Sequence, residues 1–540
     1  MKKSAPFVCA LALLLATAAP PDASAGKGTA ANKGKEKNIK LTPVGTFSAR
    51  VFDQGAAEIV AHDPATQRLF VVNGAASSID VLSVADPSNP ALLFSIDVTP
   101  HGAQANSVAV RDGVVAAAVQ ADPKTAPGKV VFFDASGNHL DDVTVGALPD
   151  MLTFTPDGAR LLVANEGEPS GYNQAASVDP EGSVSIVDLR AGVGNLDDSD
   201  VTTAQFPADV PRTNPESIRV YGPNATPAQD FEPEYVAVSH DSKTAWVTLQ
   251  ENNAIALLDV RAGRFTEIAG LGFKDHSLAG NGLDPSDRDS ANLIANWPVF
   301  GMYQPDAVAT FRVGGETYIV TANEGDARDW PGLAEEARVG SLALDPAAFP
   351  NSTFLKNNAR LGRLNVTNRR GDTDGDGDFD RLYAIGARSF SVRRADVSLI
   401  YDSGDQIEQI TRAALPDFFN AGHTTNARDD RSDNKGPEPE GLAVGKAFGR
   451  TYAFVGLERI GGVLVYDLTD PSAPRLVQYV NNRDFAIDPQ AGTLAATVGD
   501  LGPEGLTFIP AEESPNGRPL LVVANEVSGT TTLYEIAKAD

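Results

Sequence analysis

The hydrophobic positions of this chain fall in short runs rich in Val, Ile, Leu, Phe and Thr, bounded by Gly, Pro, Asp and Asn. Clear examples are "DMLTFTPDG", "ARLLVANEGEP" and "GSVSIVDL" between residues 150 and 189. Such runs predict strands joined by turns. The same order recurs: a run, a turn, a run ending in a polar cluster, then a run often closing in "DL" or "DV". The other copies open on "EIVAHDPATQ", "NSVAVRDG", "EYVAVSHD", "DAVATFRVGG", "EGLAVGKAFG" and "EGLTFIPAEE". Four strands per unit and seven units predict an all-β fold, a seven-bladed β-propeller with four-stranded blades. A β-sandwich array or a parallel solenoid is the competing architecture. The seventh copy stops one strand short, and "LTPVGTFSARV" at 41–51 is expected to close the ring.

Two stretches break the repeat within a single propeller domain expected over 41–540. One spans approximately 271–300, with "DPSDRDSANLI" reading as weakly helical; the other, 326–382, separates the second and third strands of the fifth unit. A short helix is expected there in "PGLAEEARVGSLALDP". Long loops outside a repeat commonly carry function.

The ends and the charge narrow the class. Lys2 and Lys3, the short apolar run "APFVCALALLLATAA" and the small residues "ASA" before Gly26 read as a signal peptide over 1–25, followed by a polar, Lys-containing leader over 26–40. No integral membrane span is expected after signal removal. Cys9 is the only cysteine, so the exported chain must be held by burial, tight turns or metal ions rather than disulfides. A net charge of −27 argues against nucleic acid and anionic membranes, and is compatible with divalent cations.

Acids recur at fixed places in the repeat. At the entry to the first strand stand Pro149-Asp150, Pro233-Glu234, Pro305-Asp306, Pro439-Glu440 and Pro503-Glu504, with Glu58 near the same point of the first copy. Proline suits a strand entry because it fixes φ and needs no ladder partner there. At the end of the second strand come Glu166, Glu251, Glu324, Glu458 and Glu526. The first two strands of a blade are antiparallel, so both sets are expected to line one mouth of the ring. Carboxylates so close repel one another unless something cationic balances them. Either Arg328, Arg388, Arg431, Lys435 and Arg459 supply an ion-pair network, or bound Ca²⁺ or Mg²⁺ does. Asp326, Arg328 and Trp330 follow Glu324 directly and lead into the larger insertion.

That insertion carries "DTDGDGDFD". Asp372, Asp374 and Asp376 alternate, Gly377 allows a sharp turn, and Asp378 and Asp380 follow, as in the first part of a calcium loop. The twelfth position is Tyr383, where a bidentate acid is expected, so the last ligand must come from elsewhere. A solvated Asp/Gly loop is the bland alternative. The six histidines form no HxH or HExxH pair, and no G-x-S-x-G elbow or P-loop is present. Ser432 lacks an activating base nearby in sequence and reads as a turn serine.

The composite motifs "ANEGEPSGY", "YIVTANEGDARDW", "DTDGDGDFDRLYAIGARSFSV", "RSDNKGPEPEGLAVG" and "VVANEVSGTTTLYEI" resemble the choice-of-anchor I family. That family is related to a mesenchyme-specific cell-surface glycoprotein of biomineralising animals and to proteins described as atypical alkaline phosphatases. The resemblance implies an extracytoplasmic β-propeller, often with an anchoring tail. Because this chain ends at "TTTLYEIAKAD", a periplasmic or released protein is expected.

Two functions remain open. One is a calcium-binding propeller acting as a binding or scaffold module, whose acid-rich mouth takes divalent cations or a cationic small molecule or surface component. The other is a metal-dependent phosphomonoesterase acting on a phosphorylated molecule. In it, Glu166, Glu324, Asp326 and Glu440 hold cations and Arg328 or Arg388 clamps phosphate oxygens.

Overall fold

The computed structural model describes residues 38–490 and 498–539; the expected signal peptide and nearly all of the expected leader lie outside them. The chain is a β-propeller built from antiparallel meanders. The first sheet contains Val60–Asp63, Arg68–Asn73, Ser78–Ser83 and Ala91–Asp97 in chain order, and the second runs from Gln104–Arg111 to His139–Ala147. The third runs from Pro149–Phe154 to Val201–Gln205, the fifth from Val308–Val313 to Leu399–Asp402, and the sixth from Pro439–Ala447 to Arg475–Val480. The fourth, from Pro233–Val238 to Arg264–Gly270, has a fifth strand where four were expected: Arg212–Thr213 adds in parallel to its outer edge.

The seventh sheet is composite. Pro503–Ile509, Leu520–Asn525 and Thr530–Lys538 are completed by Ile39–Ser48, which pairs antiparallel to the last of them. The strand starts at Ile39, two residues inside the expected leader, because Ile39 and Leu41 are buried against the sixth sheet. The innermost strands touch one another in chain order, and that of the seventh sheet touches that of the first.

Each facing pair of sheets encloses its own apolar layer. Phe70 and Val72 meet Val115 and Ala117 between the first and second sheets; Leu69 and Val71 meet Leu520 and Val522 between the first and seventh. Alternate residues of one strand thus enter opposite layers, which is why the middle strands are apolar throughout while the outer strand Ala91–Asp97 is mostly exposed.

The two insertions come together in one five-stranded sheet. Phe273–Asp275 and Phe300–Met302 from the first pair with Tyr383–Ala384, Asn365–Thr367 and Glu336–Arg338 from the second, and the join between Phe300–Met302 and Tyr383–Ala384 is parallel. Neither expected helix forms. Residues 284–294 are irregular, held by the Asp284 carboxylate that accepts from the backbone of Ser286 and Leu293. "PGLAEEARVGSLALDP" makes short strands at Leu333–Ala334 and Glu336–Arg338 and one 3-10 turn, because burying Leu333 and Val339 outweighs the helix preference of Ala, Glu and Leu. No helix among the described residues is long and apolar enough to cross a membrane.

Candidate functional site

The Pro-acid step opens the innermost strand, and in four sheets it sits in a β-bulge. Pro149 pairs with Asn165 and regular pairing resumes only at Leu152; Pro233, Pro439 and Pro503 pair with Leu249, Leu457 and Asn525, with pairing resuming at Val236, Leu442 and Leu506. A bulge re-aims a side chain out of the alternating pattern, and here it turns Asp150, Glu234, Glu440 and Glu504 into the central cavity, where Glu58 and Asp306 join them. In the second sheet the corresponding bulged residue is Asn106. Glycine follows the acid in the sixth and seventh sheets for a steric reason. A Cβ on Gly441 would stand 1.9 Å from the Glu504 carbonyl oxygen, and one on Gly505 2.3 Å from that of Glu58.

The resulting cavity has a volume of about 590 Å³, and Ile59, Met151, Tyr235 and Leu442 are among the residues lining it. Its wall takes Glu166, Glu324, Glu458 and Glu526 from the ends of the second strands, together with Glu168 and the exposed Asp326. Three cations face them. Lys435 Nζ lies 2.6 Å from Glu324 Oε1; an Arg459 nitrogen lies 2.6 Å from Glu458 Oε1; Lys124 pairs with Glu168 and stacks 4.6 Å from the Trp330 ring centre.

Burial and mutual repulsion disfavour ionisation. Burial, then the neighbouring Glu526 and Asp150, pushes the Glu58 carboxyl up to about 8. Burial and Glu168 push Asp150 to about 7, and burial together with Glu458 does the same for Glu526. Glu324 is raised to about 7 by burial although Lys435 pulls the other way. Asp306, Glu440 and Glu504 are raised well above the ordinary carboxylate range, first by burial and then by Glu324, Glu458 and Glu526 respectively. A divalent cation placed among such carboxyls would compete with their protons.

The family model of the choice-of-anchor I domain matches residues 58–471. The chain belongs to the choice-of-anchor I family. It is 33% identical over 201 residues to Gigasin-3a of Magallana gigas, covering 34% of this chain and 68% of that one. It is 27% identical over 282 residues to the mesenchyme-specific cell surface glycoprotein of Strongylocentrotus purpuratus, covering 46% of this chain and 36% of the sea-urchin protein. Solved structures similar to it include Kuenenia stuttgartiensis hydrazine synthase, at TM-score 0.45 and 14% identity over 89% of this chain and 96% of that one. A streptogramin B lyase matches at TM-score 0.45 and 9% identity over 93% and 98%.

Not every residue expected at the mouth of this choice-of-anchor I chain is there. Arg328 is buried behind it, giving Nε and one terminal nitrogen to Glu232 and its other nitrogen to Asp230. Arg388 is buried too, paired with Glu408 and donating to the carbonyls of Asp284, Ser432 and Asn434. Neither lines the cavity. Pro233 pairs with Leu249 rather than with the next residue, so Gln250 takes the wall position and Glu251 falls one residue behind it. Arg431 pairs with Glu438.

The sequence reading missed Glu168, Lys124, Gln104 and Gln120, which also line the cavity. Glu168 and Lys124 lie outside the repeated strand-end positions, whereas Gln104 and Gln120 hold the first-strand entry and second-strand end of the second sheet with an amide in place of an acid. It missed Glu438 and Glu232 as well, although both stand immediately before the Pro-acid step and could have been found there.

The Asp372–Asp380 loop lies in the inserted part of the chain. Asp372 accepts from the backbone of Gly375 and Gly377 at 2.7 and 3.0 Å, and Asp380 accepts from Thr373 at 2.7 Å. Asp374 and Asp376 each accept from the backbone two residues on, and the Asp378 carboxyl is raised by desolvation first and then by Asp376, Asp345 and the other loop acids. Tyr383, the twelfth position, is buried between Phe273 and Phe300 and offers no carboxylate.

Proposed function

We propose that this chain is an extracytoplasmic seven-bladed propeller, closed by its N-terminal strand, that acts as a cation-dependent binding or scaffold module. The observation that carries the reading is the ring of acids at matching inner-strand positions, Glu58, Asp150, Glu234, Asp306, Glu440 and Glu504, all facing one cavity. A structural ion-pair network would give each acid a protein partner. Instead, one oxygen of Glu440 and one of Glu504 are buried with no hydrogen-bond partner among the described residues. Oxygen-rich, anionic and partly desolvated, the cavity suits Ca²⁺ or another hard divalent cation, or a cationic group on a small molecule or surface component. The resemblance to a mesenchyme-specific cell surface glycoprotein supports the extracytoplasmic placement. The Asp372–Asp380 loop is proposed as a second Ca²⁺ position on the strength of its alternating carboxylates.

One observation favours a phosphomonoesterase as the second reading: Lys124, Lys435 and Arg459 share the cavity with the acids. They take over the phosphate-clamping role for which Arg328 and Arg388 are misplaced. In that reaction water attacks phosphorus, the ester P–O bond breaks, and the leaving alcohol takes up a proton.

Metal analysis of the purified protein, followed by hydrolysis of a chromogenic phosphate ester with Ca²⁺ and after chelation, separates the readings. Bound Ca²⁺ without turnover supports the module; chelator-sensitive turnover supports the esterase; neither metal nor turnover sinks both. Asp374→Ala combined with Asp376→Ala is expected to lower Ca²⁺ stoichiometry, and an unchanged value removes the loop from the assignment.

A further inference from the structure

We infer that Glu166, Glu232 and Glu251 form a site for a divalent cation at the junction of the third and fourth sheets, separate from the Asp372–Asp380 loop. Glu166 follows the second strand of the third sheet, Glu232 precedes the entry proline of the fourth, and Glu251 follows that sheet's second strand. All three are more than nine-tenths buried, at 8%, 1% and 5% exposure. One carboxylate oxygen from each lies within 4.8 Å of the others. That span is about twice a Ca²⁺–oxygen distance of roughly 2.4 Å, so one ion can reach all three.

Two further observations point to a ligand. Glu232 Oε1 and Glu251 Oε2 are buried with no hydrogen-bond partner among the described residues. Arg328 does not supply one, because it gives its nitrogens to Glu232 Oε2 and to Asp230. Its single charge is shared between Asp230 and Glu232, which leaves the three acids in a dry place with too little positive charge.

The second observation is internal to the fold. Between the fifth and sixth sheets, Glu324 and Glu438 occupy the strand-end and pre-proline positions of Glu166 and Glu232, and with Glu458, which stands one register position ahead of Glu251, they too bring three oxygens within 4.8 Å. There the protein provides the cations itself. Lys435 Nζ sits 2.6 Å from Glu324 and 3.0 Å from Glu438, and Arg459 bridges Glu438 and Glu458 at 2.9 and 2.6 Å. The residue three before Glu438 is Lys435; the residue three before Glu232 is Gln229, which caps a short helix instead. One triad is thus closed by an ammonium and a guanidinium, and its counterpart requires a cation from solution.

The inference deepens the cation reading of the cavity and rests on it in one respect: Glu166 belongs to both, whereas Glu232 and Glu251 lie outside the cavity wall. Calorimetric titration with Ca²⁺ tests it. Glu232→Gln together with Glu251→Gln is expected to remove one Ca²⁺ equivalent per chain, and an unchanged stoichiometry in a folded variant overturns the site. Should that variant not fold, crystals of the unmodified protein soaked in Mn²⁺ decide. An anomalous peak among the three carboxylates upholds the site, and its absence overturns it. Glu440→Gln with Glu504→Gln reports on the cavity alone. If that pair alters no cation binding while the triad loads, the cavity reading fails and the triad stands; if only that pair alters binding, the triad fails and the cavity reading stands.

Discussion

Lys435 Nζ stands 2.6 Å from Glu324 Oε1, tying the connection that precedes the sixth sheet to the end of the second strand of the fifth. The same ammonium reaches Glu438 and the Gly325 carbonyl, so one side chain holds a strand end, a strand entry and the rim between them.

Removing that ammonium leaves Glu324 and Glu438 buried with less compensation. Lys435→Gln is expected to cost about 3–5 kcal/mol, the range for breaking a buried ion pair by deleting one partner. Part of that loss should return on adding Ca²⁺, as the vacated triad becomes a second place for the ion. Urea denaturation with and without Ca²⁺ measures both effects.

The raised carboxyls set the pH dependence. Burial and neighbouring acids hold Glu58 near 8 and Asp150 and Glu526 near 7 in the folded chain, whereas unfolded carboxyls sit near 4. The folded state therefore binds more protons between those values. Stability should be greatest below about pH 4, as far as these groups contribute, and should fall as pH rises through about 7 to 8. In chelator the melting temperature should be lower at pH 8.5 than at pH 5.5. Added Ca²⁺ should narrow that gap, and a flat profile would contradict the assigned burial of the ring.

Neutralising a member of the ring should trade binding for stability. Glu440→Gln relieves repulsion from Glu458, Glu324 and Glu504, so in chelator at pH 8 it is expected to gain about 1 kcal/mol. The same change should weaken cation affinity in the cavity. Paired melting curves and Ca²⁺ titrations should move in opposite directions.

The strand Ile39–Ser48 can be removed by truncation. Its Ile39 and Leu41 are 3% and 1% exposed, and each such side chain contributes about 1.5–3 kcal/mol when buried. A chain beginning after Ser48 should lose at least their sum and expose the edge of Thr530–Lys538. Analytical ultracentrifugation is expected to show association through that edge.

The repeat was legible because a strand announces itself over five or six residues, and seven imperfect copies reinforce one another. The Pro-acid steps were legible for the same reason: a bulge entry demands a recognisable pair of residues. Glu251 was misplaced because a one-residue difference in register leaves no trace in composition, although it moves a side chain from the wall to the interior. Arg328 read as a clamp for ligand phosphate because its true partners, Asp230 and Glu232, lie nearly a hundred positions away in sequence. The sheet formed by the two insertions was invisible for a similar reason. Its parallel pairing of Phe300–Met302 with Tyr383–Ala384 joins segments that share no repeat pattern.

Because Ile39–Ser48 pairs with Thr530–Lys538, the first and last described strands of the chain finish one sheet between them. A polypeptide emerging from its N-terminus must therefore carry an unpartnered strand until Thr530–Lys538 has appeared. Closure is the contact with the longest sequence separation in the sheet network, so it should be a late step in folding. Incomplete chains would present a free strand and an open ring, and so an unpaired edge on which another strand can add.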